Sequence, residues 1–192
     1  ANSMQISELE LQYKTGDSPS LIPVTFTDAD LGDVGHAVTV TNVVSSGADA
    51  GLKSISLADI ESWLTPNQVN KLANSTGGSV DLSFKAPASA VDYLNVGQSL
   101  TLTYTIEIDD HHGGITSKDV TITINGTNDA PTVAATLNTV ANEGAAAYTV
   151  SLLAGASDVD SGDTANLNIQ AVKVNDVSVS YTHLRAHETR ED

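Results

Sequence analysis

The segment from Leu100 to Asn125 restricts the fold more than any other part of the sequence. Apolar residues occupy alternate positions from Leu100 to Ile108, threonine or glutamate stands between them, and Asp109 follows. The same alternation returns from Val120 to Ile124, after the short polar stretch HHGG. A period of two residues predicts strands with one buried face, and a Gly-containing turn between two such strands predicts an antiparallel hairpin. The chain is therefore expected to build its core from sheets.

Most of the first 130 residues carry strand patterns, and helical signals are confined to the middle. Ser56, with Asp59 three residues later, resembles a capping box, and a second short helix is predicted from Thr65, with Pro66 at its first position. Strands at this spacing, which pair with strands far away in the sequence, favour an all-β, Ig-like Greek-key β-sandwich with a small helical insertion at about 56–77. The predicted strands cover residues 5–13, 21–26, 36–44, 79–85, 99–109 and 118–125.

Two similar acidic motifs divide the chain. TDADLGD at 27–33 is followed 130 residues later by SDVDSGD at 157–163, and each comes after an apolar run. A motif repeated at this period predicts an internal repeat. The first repeat is expected to span 1–130, and 131–178 is expected to be the truncated start of a second repeat.

The charge balance excludes several classes of function. There are 24 acidic and 8 basic residues, a formal net charge of −16, and no cysteine. Such a chain repels nucleic acid and anionic membranes, so cations are its natural partners. We expect no membrane insertion, because no apolar run reaches the ~20 residues that a bilayer requires. The sequence also lacks GxSxG, Walker and HExxH motifs, so we expect no enzymatic activity.

Separate acidic segments are expected to meet at one pole of the sandwich, because successive strands alternate direction. A cluster of carboxylates is costly unless a cation neutralises it, and an all-oxygen ligand set suits Ca²⁺ better than zinc or copper. The spacing departs from that of an EF-hand. The residues predicted to bind this ion are Asp28, Asp30, Asp33, Asp109 and Asp110.

A second calcium position is predicted at the junction between the two repeats. It would join Asn128 and Asp129, just before Pro131, to the acidic motif of the second repeat, and stiffen the linker. Its predicted ligands in that motif are Asp158, Asp160 and Asp163. The alternative for each aspartate is that it only caps its own turn by bonding nearby backbone amides.

Three stretches together resemble a known family: TFTDADLGD, SAVDYLNVGQSLTLTYTIEIDD with HHGG, and VTITINGTNDAPTV. They resemble the VCBS repeat of large, RTX-type bacterial surface adhesins, a relative of the cadherin-like sandwich. The resemblance implies a secreted or cell-surface spacer in a tandem array of such repeats, with calcium at the domain junctions. Other domains of such a protein would contact glycan, host or abiotic surfaces, as in biofilms. In such modules the ligands come from the DxD loop, the late hairpin turn and the NDxP linker, which here correspond to Asp28 and Asp30, Asp109 or Asp110, and Asn128 and Asp129.

Two other functions compete with the spacer prediction. The first is a glycan-binding or spacer module of a secreted carbohydrate-active enzyme, with Trp63 as a stacking platform. Trp63 is expected instead to anchor the insertion, since Leu57, Ile60 and Leu64 share its helical face. The second is a glycosidase that uses paired carboxylates. A transition-metal site at His111 and His112 is disfavoured, because adjacent hairpin residues point to opposite faces.

The C-terminal segment 179–192 differs from the rest of the chain. It contains both arginines, Arg185 and Arg190. The stretch VSYTHLRAHET resembles the in-frame translation of a sequencing-library adapter. This segment is therefore predicted to be non-native and takes no part in the fold prediction.

Overall fold

The computed structural model describes residues 2–7, 20–133, 137–140, 142–144, 146, 149–174 and 177–179. The chain divides into two compact units, Ala1–Asp129 and Ala130–Asp192. Among the described residues, most of the regular structure belongs to the first unit. Among these residues no helix has both the length and the hydropathy needed to cross a membrane.

The described part of the first unit contains two sheets. Their strands are β1 (Asn2–Ser7), β2 (Ser20–Thr27), β3 (Ala37–Gly47), β4 (Leu64–Lys71), β5 (Gly77–Phe84), β6 (Ser99–Asp109) and β7 (Ile115–Asn125). The larger sheet has the order β1-β7-β6-β3, and the smaller has the order β2-β5-β4. Strand β1 runs parallel to β7, and the other neighbouring strands are antiparallel.

The predicted hairpin is confirmed. Strands β6 and β7 pair antiparallel in one unbroken register, in which Leu102 lies opposite Ile122 and Tyr104 opposite Val120. Alternate side chains are buried along β6 and from Val120 to Ile124 of β7, because successive residues of a strand point to opposite faces. This hairpin supplies the centre of the larger sheet.

The core lies between the two sheets. Phe84 of the smaller sheet meets Tyr104 of the larger one edge-on, with ring centroids 6.4 Å apart. The Tyr104 hydroxyl donates a hydrogen bond to the carbonyl oxygen of Ile60 at 2.9 Å. Ile60 belongs to the one short α-helix of the described residues, α1 (Leu57–Glu61). The predicted all-β sandwich-like fold is therefore confirmed.

The helical insertion is smaller than the sequence predicts. Ser56 does cap α1, since its hydroxyl accepts a hydrogen bond from the Asp59 amide at 3.1 Å. The predicted second helix is wrong, because Thr65 and Pro66 lie in strand β4, which pairs with β5. Proline is tolerated there because β4 is an edge strand whose register shifts after Pro66. Leu57, expected on the buried face of the helix, is 65% exposed.

The backbone after β7 passes very close to a neighbouring loop at Gly126. A Cβ atom there would lie 2.3 Å from the carbonyl oxygen of Leu94 and 2.4 Å from that of Asn95. The Gly126 amide also donates to the Gln98 carbonyl oxygen at 3.0 Å. Only glycine fits this position without moving the backbone of the neighbouring loop.

The second unit has little regular structure in its described part. A single bridge joins Thr132 and Ser157 by two backbone hydrogen bonds of 2.7 and 2.9 Å. A 3-10 helix (Asp163–Asn166) and a hairpin of β8 (Val172–Val174) with β9 (Val177–Val179) follow. Of the predicted non-native segment, Val179 belongs to β9, and 180–192 lie outside the described residues.

Tyr104 gives a prediction about alkaline stability. Burial, and to a lesser degree the charge of Glu61, raise the pKa of the Tyr104 hydroxyl above its ordinary value of 10.0. Above about pH 10 the unfolded chain loses this proton first, so the free energy of unfolding falls as pH rises, by up to about 1.4 kcal/mol per pH unit. We expect Tyr104→Phe to cost about 1 kcal/mol at neutral pH and to remove this alkaline contribution.

The measurement is urea unfolding of wild type and Tyr104→Phe between pH 8 and 11. The stability difference between them should shrink as pH rises above about 10. A constant difference over this range would show that the hydroxyl titrates normally in the folded protein.

Gly126 gives a prediction about packing. Gly126→Ala should lower the free energy of unfolding by about 1–3 kcal/mol, because the new methyl group would overlap two backbone carbonyls that cannot move independently. Gly35→Ala is the matched control, since a Cβ at Gly35 meets no atom within 4 Å. Urea unfolding of both variants measures the difference, and equal stabilities would contradict the close approach.

Candidate metal centre

The loop between β2 and β3 is folded by its own aspartates. The Oδ1 atom of Asp28 accepts a hydrogen bond from the Asp30 amide at 2.8 Å. The Asp33 amide then donates to the Asp30 carbonyl oxygen at 3.2 Å. This turn gathers three carboxylates, and Asp28, Asp30 and Asp33 each offer one oxygen within 4.8 Å of the others.

The spacing of these oxygens fits a calcium ion. Ca²⁺ binds oxygens at about 2.3–2.6 Å, so two of its ligands lie at most about 5 Å apart. The three carboxylate oxygens satisfy that limit, since they lie within 4.8 Å of one another. Asp30 is exposed and the other two are half-buried, so water can complete a coordination shell.

A lysine lies beneath the same loop. Lys71 is the last residue of β4, and its side chain is 0% exposed. Its Nζ donates to the carbonyl oxygens of Asp30 at 3.0 Å and Asp33 at 2.7 Å. The same atom lies 3.7 Å from Oδ2 of Asp28. The inner side of the acidic loop therefore faces a buried ammonium group.

His36 is a second basic neighbour of Asp28. Its Nε2 lies 2.9 Å from Oδ2 of Asp28, and its side chain is 2% exposed. Its ring packs on Phe26, with centroids 4.9 Å apart. The Asp30 amide chiefly, with the charges of Lys71 and His36, holds the pKa of Asp28 below its ordinary value against the opposing effect of burial. Of the three carboxylates in the loop, Asp28 is therefore the one that lies next to both Lys71 and His36.

Strand pairing brings the hairpin turn after β6 to this loop. Ala37, the first residue of β3, pairs with Asp109, the last residue of β6. The Nδ1 atom of His112 lies 3.2 Å from Oδ2 of Asp33. Asp28 and Asp110 also line one surface depression of about 240 Å³. Segments about 80 residues apart thus meet at one pole.

Asp109 and Asp110 serve their own turn. The Oδ1 atom of Asp109 accepts from the His111 amide at 2.7 Å. The Oδ1 atom of Asp110 accepts from the amides of His112 at 2.7 Å and Gly114 at 2.9 Å. A Cβ at Gly114 would lie 2.2 Å from Oδ2 of Asp110, so a side chain at this position would displace the Asp110 carboxylate. Within the described residues these two carboxylates are not part of the three-oxygen group.

The two histidines of the turn differ in their neighbours. His111 Nδ1 lies 3.5 Å from Oδ2 of its near neighbour Asp109. His112 Nδ1 lies 2.8 Å from the Asp110 carbonyl oxygen of its own turn and 3.2 Å from Oδ2 of Asp33 in the other loop. Both histidine side chains are exposed. The sequence attributed both histidines to turn polarity, which agrees with their contacts to Asp109 and Asp110, but it did not predict the additional contact of His112 with Asp33.

Asn128 and Asp129 lie at the exit of the first unit. The Asn128 side-chain amide donates to the Asp129 carbonyl oxygen. Burial first, and then the negative charge of Asp129, raise the pKa of Asp92. Asp92 is thus an acidic neighbour of Asp129 that the sequence prediction did not include. The predicted bridge from Asn128 and Asp129 to the second unit stays a prediction.

The second acidic motif repeats the turn geometry of the first. The Asp160 amide donates to Oδ1 of Asp158 at 3.0 Å, and the Asp163 amide donates to the Asp160 carbonyl oxygen at 3.1 Å. The Thr164 hydroxyl closes this loop by bonding the Asp158 carbonyl oxygen at 3.0 Å. The same spacing of aspartates therefore gives the same local turn in each unit.

The sequence prediction missed His36 and Lys71. His36 follows the acidic loop closely, but nothing in its flanking residues shows that its ring turns back to Asp28. Lys71 ends a strand that was predicted as a helix, so its approach to residues about 40 positions earlier was hidden.

Trp63, the alternative glycan platform, is 6% exposed and belongs to the hydrophobic core. The core uses most of its ring surface. A surface depression of about 630 Å³ lies beside it, bordered by Asp59, Lys85 and Ser89 among others.

Comparisons with known proteins give only weak likenesses. No protein-family model and no curated protein matches the chain. Protocadherin gamma C5 EC1-3 is 15% identical with a TM-score of 0.33, and the match covers 85% of this chain and 44% of that one. AggA, the major subunit of aggregative adherence fimbriae type I from Escherichia coli, is 11% identical with a TM-score of 0.29, and the match covers 66% of this chain and 91% of that one.

A third structure, the endo-fucoidan hydrolase MfFcnA9 from glycoside hydrolase family 107, is 18% identical with a TM-score of 0.21. That match covers 65% of this chain and 15% of the hydrolase. Because all three TM-scores are low, these likenesses carry no functional argument.

Asp110 gives a prediction about acid stability. The amides of His112 and then Gly114 hold its pKa below the ordinary value of 3.8, against a smaller effect of burial. A lowered folded-state pKa stabilises the protein above the unfolded-state value, and that contribution is lost as pH falls through the folded-state value. Asp110→Asn keeps the Oδ1 acceptor but loses the charge.

We therefore expect Asp110→Asn to be less stable than wild type at pH 6 and to approach it below about pH 4. Urea unfolding in the presence of a chelator, from pH 6 to pH 2, measures this difference. If the difference in the free energy of unfolding instead grows as pH falls, the amides of the turn do not stabilise the ionised form of Asp110.

Proposed function

We propose that this chain is a calcium-binding structural repeat, a non-enzymatic spacer of a secreted or surface-anchored bacterial adhesin. The observation that carries the proposal is the group of Asp28, Asp30 and Asp33, whose oxygens lie within 4.8 Å of one another at one pole of a β-sandwich. The VCBS-like motifs support the adhesin context. Neighbouring repeats of the same chain are its proposed partners.

The proposed ion acts by neutralising charge. Three carboxylates this close repel one another, by roughly 1 kcal/mol for each pair about 4 Å apart in water and more where water is partly excluded. Lys71 and His36 offset the charge of Asp28, whereas the carboxylates of Asp30 and Asp33 add two further negative charges to the same group. A hard divalent cation bound by these oxygens would remove the remaining repulsion and hold the loop in its folded form.

The hairpin turn after β6 lies against the loop, but its two carboxylates are not needed as ligands of the ion. His112 Nδ1 lies 3.2 Å from Oδ2 of Asp33, and the Asp109 and Asp110 side chains each accept hydrogen bonds from amides of the turn. One oxygen of each of these two carboxylates is therefore used locally. We propose that the ion is bound mainly by Asp30, Asp33 and Asp28, which it shares with Lys71 and His36. The hairpin turn lies beside the ion.

The competing functions have less support. Trp63, the proposed glycan platform, lies in the core, and its carbonyl oxygen accepts from the Lys85 amide at 2.8 Å within the fold. A glycosidase needs two carboxyl groups facing one substrate across a groove. The carboxylates found together here cluster around one turn instead, which suits a single cation.

The test compares thermal unfolding in calcium and in chelator. When calcium is a hundredfold above its Kd, binding adds about 2.7 kcal/mol, which raises the Tm by on the order of 10 °C for a domain of this size. Asp30→Asn should lose most of this increase, because it removes one charged ligand and keeps the backbone turn. Asp81→Asn is the matched control, since Asp81 is exposed on β5 and carries the same charge change.

Calorimetric titration with calcium, and with magnesium for comparison, measures binding directly. A wild-type Tm that is equal in calcium and in chelator, together with a calcium titration that gives no heat, would contradict the proposal. An equal loss in Asp30→Asn and Asp81→Asn would contradict the assignment of the ion to this loop.

A further inference from the structure

The inner side of the acidic loop already has a cation attached to the protein. The Lys71 side chain is fully buried, and its Nζ is surrounded by three oxygens of the loop: the carbonyl oxygens of Asp30 and Asp33, at 3.0 and 2.7 Å, and Oδ2 of Asp28 at 3.7 Å. A buried ammonium needs such compensation, because an unpaired charge in the interior is strongly unfavourable. The three oxygens therefore form a site that binds positive charge.

These oxygens are of the kind that calcium uses. Calcium sites commonly combine carboxylates with backbone carbonyl oxygens, and Ca²⁺ tolerates irregular geometry, whereas Mg²⁺ requires a near-ideal octahedron. The two carbonyl distances from Nζ are a few tenths of an ångström longer than Ca²⁺–oxygen bonds of about 2.3–2.6 Å, and the carboxylate distance is about 1 Å longer. A contraction of the loop by these amounts would convert the ammonium site into a calcium site.

The position of the ammonium is fixed by the backbone around it. Lys71 pairs with Gly78 at the end of the β4–β5 ladder. The connection after Lys71 is tied to the acidic loop twice, by the Asn74 amide on the Leu31 carbonyl oxygen and by the Asp28 amide on the Thr76 carbonyl oxygen, both at 2.8 Å. The lysine side chain thus enters the loop from a hydrogen-bonded hairpin, unlike a lysine in a surface ion pair.

We propose that Lys71 is the resident cation of this loop and sets how many divalent ions the pole can bind. Its ammonium fills the inner subsite made by the Asp30 and Asp33 carbonyl oxygens and the Asp28 carboxylate. A divalent ion is thereby restricted to an outer subsite, made of the carboxylate oxygens of the loop that Lys71 does not contact. The calcium ion of the outer subsite is part of the proposed function, whereas the inner subsite follows from the contacts of Lys71 alone.

The proposal predicts a gain of metal binding when the lysine charge is removed. Lys71→Met keeps an apolar stem and removes the ammonium, so the variant should bind one calcium ion more than wild type. It should be less stable than wild type in chelator, and calcium should restore most of the lost Tm, whereas magnesium should restore less. Lys71→Arg retains a cation and should bind no additional ion.

Lys53→Met is the matched control, because Lys53 is exposed in the 3-10 helix Ala50–Ser54 and the charge change is the same. It should leave both calcium stoichiometry and Tm close to wild type. Calorimetric titration of the full chain, with metal analysis after gel filtration, gives the stoichiometry. If Lys71→Met is unfolded in chelator, it is titrated with millimolar calcium, and refolding supports the proposal.

Two results would overturn it: equal calcium stoichiometry in wild type and Lys71→Met, or a Lys71→Met protein that stays unfolded in calcium. The test also separates this proposal from the proposed function. Zero ions in wild type and one in Lys71→Met would contradict calcium binding by the native repeat and support the lysine-filled subsite. One ion in wild type and one in Lys71→Met would support calcium binding by the native repeat and contradict the lysine-filled subsite.

Discussion

Compensation of negative charge at one pole is the constraint on which this domain depends. Asp28, Asp30 and Asp33 lie on one turn, beside a hairpin turn with two further carboxylates. Such an arrangement is stable only if positive charge and amide donors are supplied locally. The structure supplies them at three levels: backbone amides on the turns, the His36 ring, and the Lys71 ammonium in the interior. The loop is therefore held from several directions.

The sandwich is what makes this compensation available. Pairing of β3 with β6 starts at Ala37 and Asp109, which places the loop before one strand beside the turn after the other. The smaller sheet contributes the lysine, because β4 ends directly beneath the loop. Both sheets therefore meet at the acidic pole, and the packing of the core between them determines where the charges lie. Local turn chemistry and the global fold agree with each other, as expected of a sequence that specifies one structure.

The sequence predicted the parts of the structure that depend on local patterns. Alternation in β6 and β7 identified the central hairpin, and the spacing of Asp28 and Asp30 identified a turn that gathers carboxylates. The helix predicted from Thr65 and Pro66 was wrong, because these two residues suit both the start of a helix and an edge strand. Only the pairing of β4 with β5 decides between the two. The partners of Lys71 are 38 and 41 positions away, and no local signal records that contact. Whole-chain topology was needed to find it.

The parallel pairing of β1 with β7 has a mechanical consequence. The ladder runs from Asn2 opposite Val120 to Ser7 opposite Asn125, so the first and last strands of the unit lie side by side and point the same way. Tension applied at the start of β1 and the end of β7 pulls these strands past each other along their axes. The evenly spaced hydrogen bonds of a parallel ladder then share the load and rupture together, whereas a ladder peeled from one end loses them one by one. This geometry favours resistance to stretching over easy unzipping.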